Sequence, residues 1–250
     1  VNHQTGLPAA SAVGSSEWHT QPRNTNHNDE AVFRVKICGI TRPEDAITAC
    51  DAGADAIGLN FYAKSSRYLP TDRLVELCEA AEEVNVVGVF VNSTANEINR
   101  LAGSGPLDVI QLHGDEPPEL LNDLMPEVPV IRAMRMGEEG LRPAAEWIEA
   151  ADRLGKPIAA VLVDAAGSAG EYGGTGRVAD WSRIAQERHL LGSTSMILAG
   201  GLTPENVAEA ISATGADGVD TASGVESSPG IKDGGQIVSF VERSLAQFAS

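Results

Sequence analysis

From Phe33 to the C-terminus the chain alternates short apolar runs with amphipathic runs, eight of each. The strand-like runs are Phe33–Cys38, Ala56–Asn60, Val86–Val91, Asp108–Gln111, Val130–Ala133, Ile158–Val163, Met196–Ala199 and Gly218–Asp220. Several are unbroken Val/Ile/Leu stretches, as expected of parallel strands covered on both faces. The helix-like runs are Pro43–Asp51, Thr71–Glu83, Ala95–Leu101, Pro118–Leu124, Leu141–Leu154, Val178–Glu187, Thr203–Ser212 and Gly235–Gln247. Thr41-Arg-Pro-Glu44 and Thr203-Pro-Glu-Asn206 read as N-cap, first-turn proline and acidic first turn. Ala52–Asp55 and Thr214–Asp217 read as one αβ turn used twice, with glycine closing the helix. Eight such units predict a single-domain α/β fold, a (β/α)8 TIM barrel. A doubly wound open sheet is the competitor, but Cys38-Gly39-Ile40-Thr41 lacks the glycine spacing of its first loop.

The core must be aliphatic, since 42% of residues are hydrophobic and only 4% aromatic. The formal net charge of −17 argues against a nucleic-acid or anionic-membrane partner, both of which need a basic patch. Cys38, Cys50 and Cys78 form no disulfide framework, and no Cys/His spacing suggests a metal. The longest apolar run, Ile158–Val163, is far short of the ~20 residues of a membrane helix. Residues 1–30 are polar and aperiodic, and are expected to be a disordered extension to a barrel at 31–250. These features predict a soluble protein of a reducing, cytoplasmic compartment.

In a barrel every strand ends at the same mouth, so chemistry is sought directly after each strand. Cys38 stands there after strand 1, Arg67 in the loop after strand 2, and His113 after strand 4. Asp164 follows strand 6 and leads into the glycine-rich Ala165–Gly176, while Asp220 follows strand 8. Gly200-Gly201 after strand 7 and Ser223-Gly224 after strand 8 occupy the usual phosphate position of this fold, where exposed N–H groups meet an anion. The same glycines serve equally well as tight turns. Cysteine is commonly a small buried hydrophobe, and Cys50 and Cys78 fit that role. Cys38 differs in facing the mouth, followed at once by a glycine. Asp164 closes an apolar strand and must lose water, which favours the protonated acid; its bland role is to cap the glycine loop. Arg67 is by default a solvated loop charge, His113 a residue that holds its loop, and Trp147 and Trp181 outer-layer packing.

Together these segments resemble the phosphoribosylanthranilate isomerases of tryptophan biosynthesis. The resemblance rests on Val35-Lys-Ile-Cys-Gly-Ile-Thr41, Gly58-Leu-Asn-Phe61 with Ser66-Arg67-Tyr68, and Val87-Gly-Val-Phe-Val-Asn92. It continues through Ile110-Gln-Leu-His-Gly-Asp-Glu116, Gly173–Gly176, Leu198–Asn206, Gly218-Val-Asp220, Ser223-Gly-Val-Glu226 and Lys232-Asp233. It implies an Amadori rearrangement of N-(5'-phosphoribosyl)anthranilate to 1-(2-carboxyphenylamino)-1-deoxyribulose 5-phosphate, without metal or organic cofactor. It further implies Cys38 as general base, Asp164 as general acid, Arg67 on the anthranilate carboxylate and Asp220 near the sugar hydroxyls. The phosphate would lie on Gly200, Gly201, Ser223 and Gly224. Ala222 stands where the family often has a serine, and Arg132 where lysine is common.

A thiol with an ordinary pKa of about 8.5 is a poor base at neutrality, so Cys38 needs help from its surroundings. The implied partner is a small phosphorylated substrate, and the implied state a monomer, with a homodimer open. A histidine-pathway ribonucleotide isomerase would carry aspartate at Cys38, and an indole-glycerol-phosphate synthase a lysine and glutamate pair. The reading from another class is a catalytically silent barrel that senses a phosphosugar.

Overall fold

In a computed structural model of the chain, residues 32–81, 84–103, 107–164 and 180–250 are described. Eight parallel strands close into a barrel in chain order. They are β1 (Val35–Cys38), β2 (Ala56–Asn60), β3 (Asn85–Phe90), β4 (Val109–Leu112), β5 (Val130–Arg135), β6 (Ala160–Asp164), β7 (Ser195–Ala199) and β8 (Gly218–Thr221). The predicted extension at residues 1–30 lies outside the described residues, as does the glycine-rich loop Ala165–Gly176.

Strand parity sorts the side chains into two cores. Ala56, Val87, Val109, Ile131, Ala133, Ala160, Leu162, Ile197 and Ala199 fill the barrel interior above Phe33. The alternate positions, such as Val35, Ile37, Ile57, Val86, Ile110, Val161, Val163 and Leu198, pack outward with the apolar faces of the helices. The helices are α1 (Pro43–Asp51), α2 (Leu74–Ala80), α3 (Ala95–Gly103), α4 (Arg142–Arg153), α5 (Trp181–Glu187), α6 (Val207–Thr214) and α7 (Gly234–Phe248). Trp147 is buried on α4, in the outer layer where its helix position placed it.

The outer ring departs from expectation at several points, and the helix expected from Thr71 opens as a 3-10 turn, Thr71–Arg73, before α2. Pro118–Asn122 is a short 3-10 turn where a helix to Leu124 was expected. The Pro117-Pro118 pair removes two amide donors, and so short a segment does not repay helix nucleation. Its exit is held instead by Asn99 of α3, which donates to the Asp123 carbonyl at 2.7 Å and accepts from the Met125 amide at 3.1 Å. Thr41 does not cap α1; its hydroxyl donates to the Gly230 carbonyl at 2.6 Å, and the position before the helix belongs to Arg42. The helix expected from Thr203 begins at Val207, after a turn in which Asn206 accepts from the Thr203 amide. The repeated αβ turn is present, with Gly53 at φ 87° and Gly215 at φ 62° in the left-handed region that glycine adopts freely.

One element has no counterpart among the sequence-based expectations. After β8 the chain forms a small antiparallel hairpin, β9 (Glu226–Ser228) and β10 (Ile231–Lys232). It lies beside the mouth, where Gly230 meets Thr41.

Candidate active site

The mouth holds a cavity of about 790 Å3, open rim included, and seven of the eight sequence-predicted residues line it: Cys38, Arg67, Asp164, Gly200, Gly201, Asp220 and Ser223. The eighth, Gly224, is not in the lining. A side chain there would run into the Leu202 carbonyl, so this glycine lets the loops after β8 and β7 pack together.

Cys38 ends β1 and points inward over Gly58, its register partner on β2. A Cβ at position 58 would stand 2.7 Å from the sulfur, so glycine there makes room for the thiol. Two residues earlier on the same face is Lys36, completely buried inside the barrel. Its Nζ donates to Asp220 Oδ1 at 2.7 Å, across the β1–β8 pairing that sets Lys36 opposite Asp220. Burial works against the Lys36 ammonium, but Asp220 and Cys38 outweigh it and its pKa is raised. Burial also pushes the Cys38 thiol up; Lys36 opposes this, Asp220 adds to it, Lys232 opposes it, and the net direction is upward.

Arg67 enters from the loop after β2, its stem lying against Gly39, whose φ of 73° and missing Cβ allow that approach. Its guanidinium is already engaged. Nε and Nη2 each donate to Glu226 of β9 at 2.7 Å, a bidentate pair. Glu226 also accepts from Lys232 Nζ at 2.9 Å, and Lys232 donates to the Ala222 carbonyl at 2.9 Å. Burial alone would raise the Glu226 carboxyl, yet the bonds from Arg67 and Lys232 hold it below the usual range. Lys232 also moves down, because the burial of its ammonium outweighs Glu226. The hairpin therefore fixes the arginine that the sequence marked for a substrate carboxylate.

Across the mouth, Asp164 is the last residue of β6 and buried. His113 lines the cavity and sets Nε2 3.6 Å from Asp164 Oδ2. Behind it, Gln111 of β4 places Nε2 3.1 Å from His113 Nδ1. Gln111 thus engages Nδ1 of the ring and leaves Nε2 as the nitrogen that faces the carboxyl. The His113 loop is held from outside the barrel. Glu116 accepts from the amides of Asn92 and Gly114 at 2.7 and 2.9 Å, and from Arg132 Nη1 at 2.6 Å. Arg132 also donates to the Gly114 carbonyl at 3.0 Å and lies 5.5 Å over the Trp147 ring. On β5 parity turns Arg132 outward, whereas Arg135 ends the strand in register with Asp164.

Gly200 and Gly201 have φ of 87° and 70°, two consecutive left-handed residues that turn the backbone at the end of β7. Asn206 donates to the Gly201 carbonyl at 3.0 Å and Thr221 to the Leu202 carbonyl at 2.7 Å, which fixes that turn against β8.

Sequence reasoning missed Lys36 and the Glu226–Lys232 pair as parts of the site. For Lys36 the signal was available, since it shares strand parity with Cys38. For Glu226 and Lys232 the resemblance marked the segments but not a role, because only the hairpin brings them back to Arg67.

The family model described as N-(5'phosphoribosyl)anthranilate (PRA) isomerase matches residues 35–243. The N-(5'-phosphoribosyl)anthranilate isomerase of Myxococcus xanthus is 46% identical over 211 residues, 83% of this chain and 94% of that protein. The crystal structure of phosphoribosyl anthranilate isomerase from Thermotoga maritima superposes with a TM-score of 0.75 at 35% identity, over 86% of this chain and all of the other. A PRA isomerase structure in complex with reduced 1-(o-carboxyphenylamino)-1-deoxyribulose 5-phosphate superposes at 0.72, again with 35% identity and the same coverage of both chains. With a barrel of the same topology and a match across nearly its whole length, this chain belongs to the PRA isomerase family.

Proposed function

We propose that the isomerisation of N-(5'-phosphoribosyl)anthranilate by this chain is divided between Cys38 as base and Asp164 as acid. The observation that carries the assignment is their placement on β1 and β6 of one cavity, across its mouth from each other. Asp164 gives its proton to the furanose ring oxygen, and the C1–O bond breaks to leave a protonated Schiff base. Cys38, as thiolate, takes the proton on C2; the C2–H electrons form a C1=C2 double bond, and the C1=N π electrons return to the nitrogen. The resulting enol-amine tautomerises to the ketone. Each proton transfer contributes about 10²–10⁴-fold when its group is in place.

The remaining groups bind and orient. Gly200, Gly201 and Ser223 face the cavity where a phosphate would take backbone N–H groups. Gly224 supports that loop by its packing against Leu202. Glu226 takes Nε and Nη2 of Arg67, so a substrate carboxylate would take Nη1. Asp220 accepts from Lys36 on Oδ1 and would accept a sugar hydroxyl on its other oxygen. The unit that carries this activity is residues 31–250, acting as a monomer.

Turnover, followed by loss of anthranilate-type fluorescence, tests the assignment. Cys38→Ala and Asp164→Asn should each abolish isomerisation and still bind the reduced product analogue. Near-native kcat in either variant would remove that residue from its role. Wild-type binding without turnover would instead make the barrel a phosphosugar sensor. A chain beginning at residue 31 should keep full turnover, and light scattering should return the mass of one chain.

A further inference from the structure

We propose that Lys36, pinned by Asp220 inside the barrel, is the cation that charges Cys38, its ammonium partnering the thiolate through the catalytic cycle. Lys36 is a positioning residue here: it reaches the substrate only through the sulfur.

A lysine with no exposed surface is an unusual filling for a barrel interior, where branched aliphatic side chains dominate. Its bond to Asp220 does not account for it as a stability device, because buried ion pairs are often no better than apolar residues of the same volume. Geometry offers another reason. Lys36 and Cys38 lie on the same face of β1, about 7 Å apart along the strand. Lys36 is opposite Asp220 on β8, and Cys38 is opposite Gly58 on β2, where the missing side chain leaves space around the sulfur. The ammonium is thus held by the Asp220 carboxylate on the face of the strand that carries the thiol.

Four charged groups act on Cys38: Lys36 on β1, Asp220 on β8, Arg67 from the loop after β2 and Lys232 on β10, the last two sharing Glu226 on β9. Glu226 serves both Arg67 and Lys232, and Asp220 serves Lys36, so the group holds one positive charge more than its carboxylates neutralise. A thiolate at Cys38 completes that balance. Lys36 is the strongest influence opposing the burial that keeps the thiol protonated, ahead of Lys232. When the sulfur takes the C2 proton its negative charge passes into the substrate, and Lys36 keeps its own proton throughout.

The inference deepens the proposed role of Cys38 and rests on it for any effect on turnover, so its test begins without substrate. The rate of iodoacetamide alkylation at Cys38 is measured against pH on the full chain, by mass spectrometry of the Cys38 peptide. Cys50 and Cys78 are thereby read separately. Lys36→Met should slow alkylation at pH 8 about tenfold and lower kcat in parallel with KM little changed. Asp220→Asn should speed alkylation above wild type, because it removes a negative charge facing the sulfur. The double variant Lys36→Met/Asp220→Asn keeps the net charge and spares Asp220 from burial without its partner. It should fall between wild type and Lys36→Met, and it stands in should the single variant not fold. Superimposable alkylation profiles for wild type and the double variant overturn the inference. Loss of turnover in Lys36→Met with an unchanged alkylation profile overturns it too. A fully active Cys38→Ala would sink the base assignment instead, and leave the alkylation order to judge Lys36 on its own.

Discussion

The two sides of the mouth present their reactive groups in different ways. Around Cys38 the surroundings are ionic: Lys36 with Asp220, and Arg67 and Lys232 sharing Glu226. Around Asp164 stand the His113 imidazole, held in turn by the Gln111 amide, and Arg135, in register on β5. A base must reach its charged form, and buried cations favour a thiolate. An acid must arrive with its proton, and the polar groups beside it face the carboxylate that forms as the proton leaves. Both sides also use an arginine–glutamate pair, part-buried in one case and buried in the other, with opposite orientations. Arg67–Glu226 faces the cavity, while Arg132–Glu116 lies on the outer face of the sheet and shapes the His113 loop from behind. The same pair is a binding element on one side and a scaffold on the other.

The largest effects should come from the two proton-transfer groups, and they should be alike. Cys38→Ala and Asp164→Asn each remove about 10²–10⁴ in kcat if both act in proton transfer. A loss confined to one of them would break the symmetry of base and acid. Next come the arginine–glutamate pairs. Glu226→Gln leaves Arg67 and Lys232 without their shared carboxylate, and Arg132→Met leaves Glu116 buried beside its loop. Arg132→Met should cost about 3 kcal/mol of stability in denaturant titrations, the lower end for breaking a buried pair, and Glu226→Gln, at a part-buried pair, less. Only Glu226→Gln should also raise KM, about tenfold, because Arg67 loses its orientation. If Arg132→Met raises KM as much, the outer pair is part of binding and the contrast fails.

Two pH dependences separate the sides further. Because burial pushes the Cys38 thiol up against the pull of Lys36, kcat/KM should climb with pH through and above neutrality, and that rising limb should move to lower pH in Asp220→Asn. The Glu226 carboxyl is held below its usual range although burial opposes this, so its folded pKa lies beneath the unfolded one. Its contribution is complete above the ordinary glutamate value of about 4.3 and is lost as pH falls through the lowered folded value. The stability gap between wild type and Glu226→Gln should therefore narrow in denaturant titrations taken from pH 7 to pH 3.

Much of this arrangement is legible in the amino-acid sequence. Alternating periods point to the barrel, and barrel geometry alone puts Cys38, Asp164, Arg67, Asp220 and the glycines after β7 at one mouth. What stays hidden has physical causes. Lys36 can be placed from parity once Cys38 is turned inward, but a lysine in a strand ordinarily reads as a solvent-facing residue. Glu226 and Lys232 are out of reach because β9 and β10 are three and two residues long, too short to show a period. The Pro118 segment carries helix-like composition, yet two prolines and one turn of length leave it a 3-10 bend. Thr41 matches a capping pattern and is claimed by a tertiary partner instead.

That tertiary bond carries the smallest effect and the sharpest reading of the hairpin. Thr41 lies three residues beyond Cys38 and donates to the Gly230 carbonyl at 2.6 Å, while the Gly230 amide donates to Glu226 at 3.3 Å. Removing the hydroxyl with Thr41→Val should cost about 1 kcal/mol, the net worth of one hydrogen bond. Gly230 has a φ of 80°, so its turn does not depend on Thr41 for its conformation. KM should accordingly rise by less than about twofold, far below Glu226→Gln, because the bidentate pair holds Arg67 by itself. A rise matching that of Glu226→Gln would mean that the hairpin is kept over the mouth by Thr41, and the ionic side of the site would then depend on the entry to α1 as much as on its own charges.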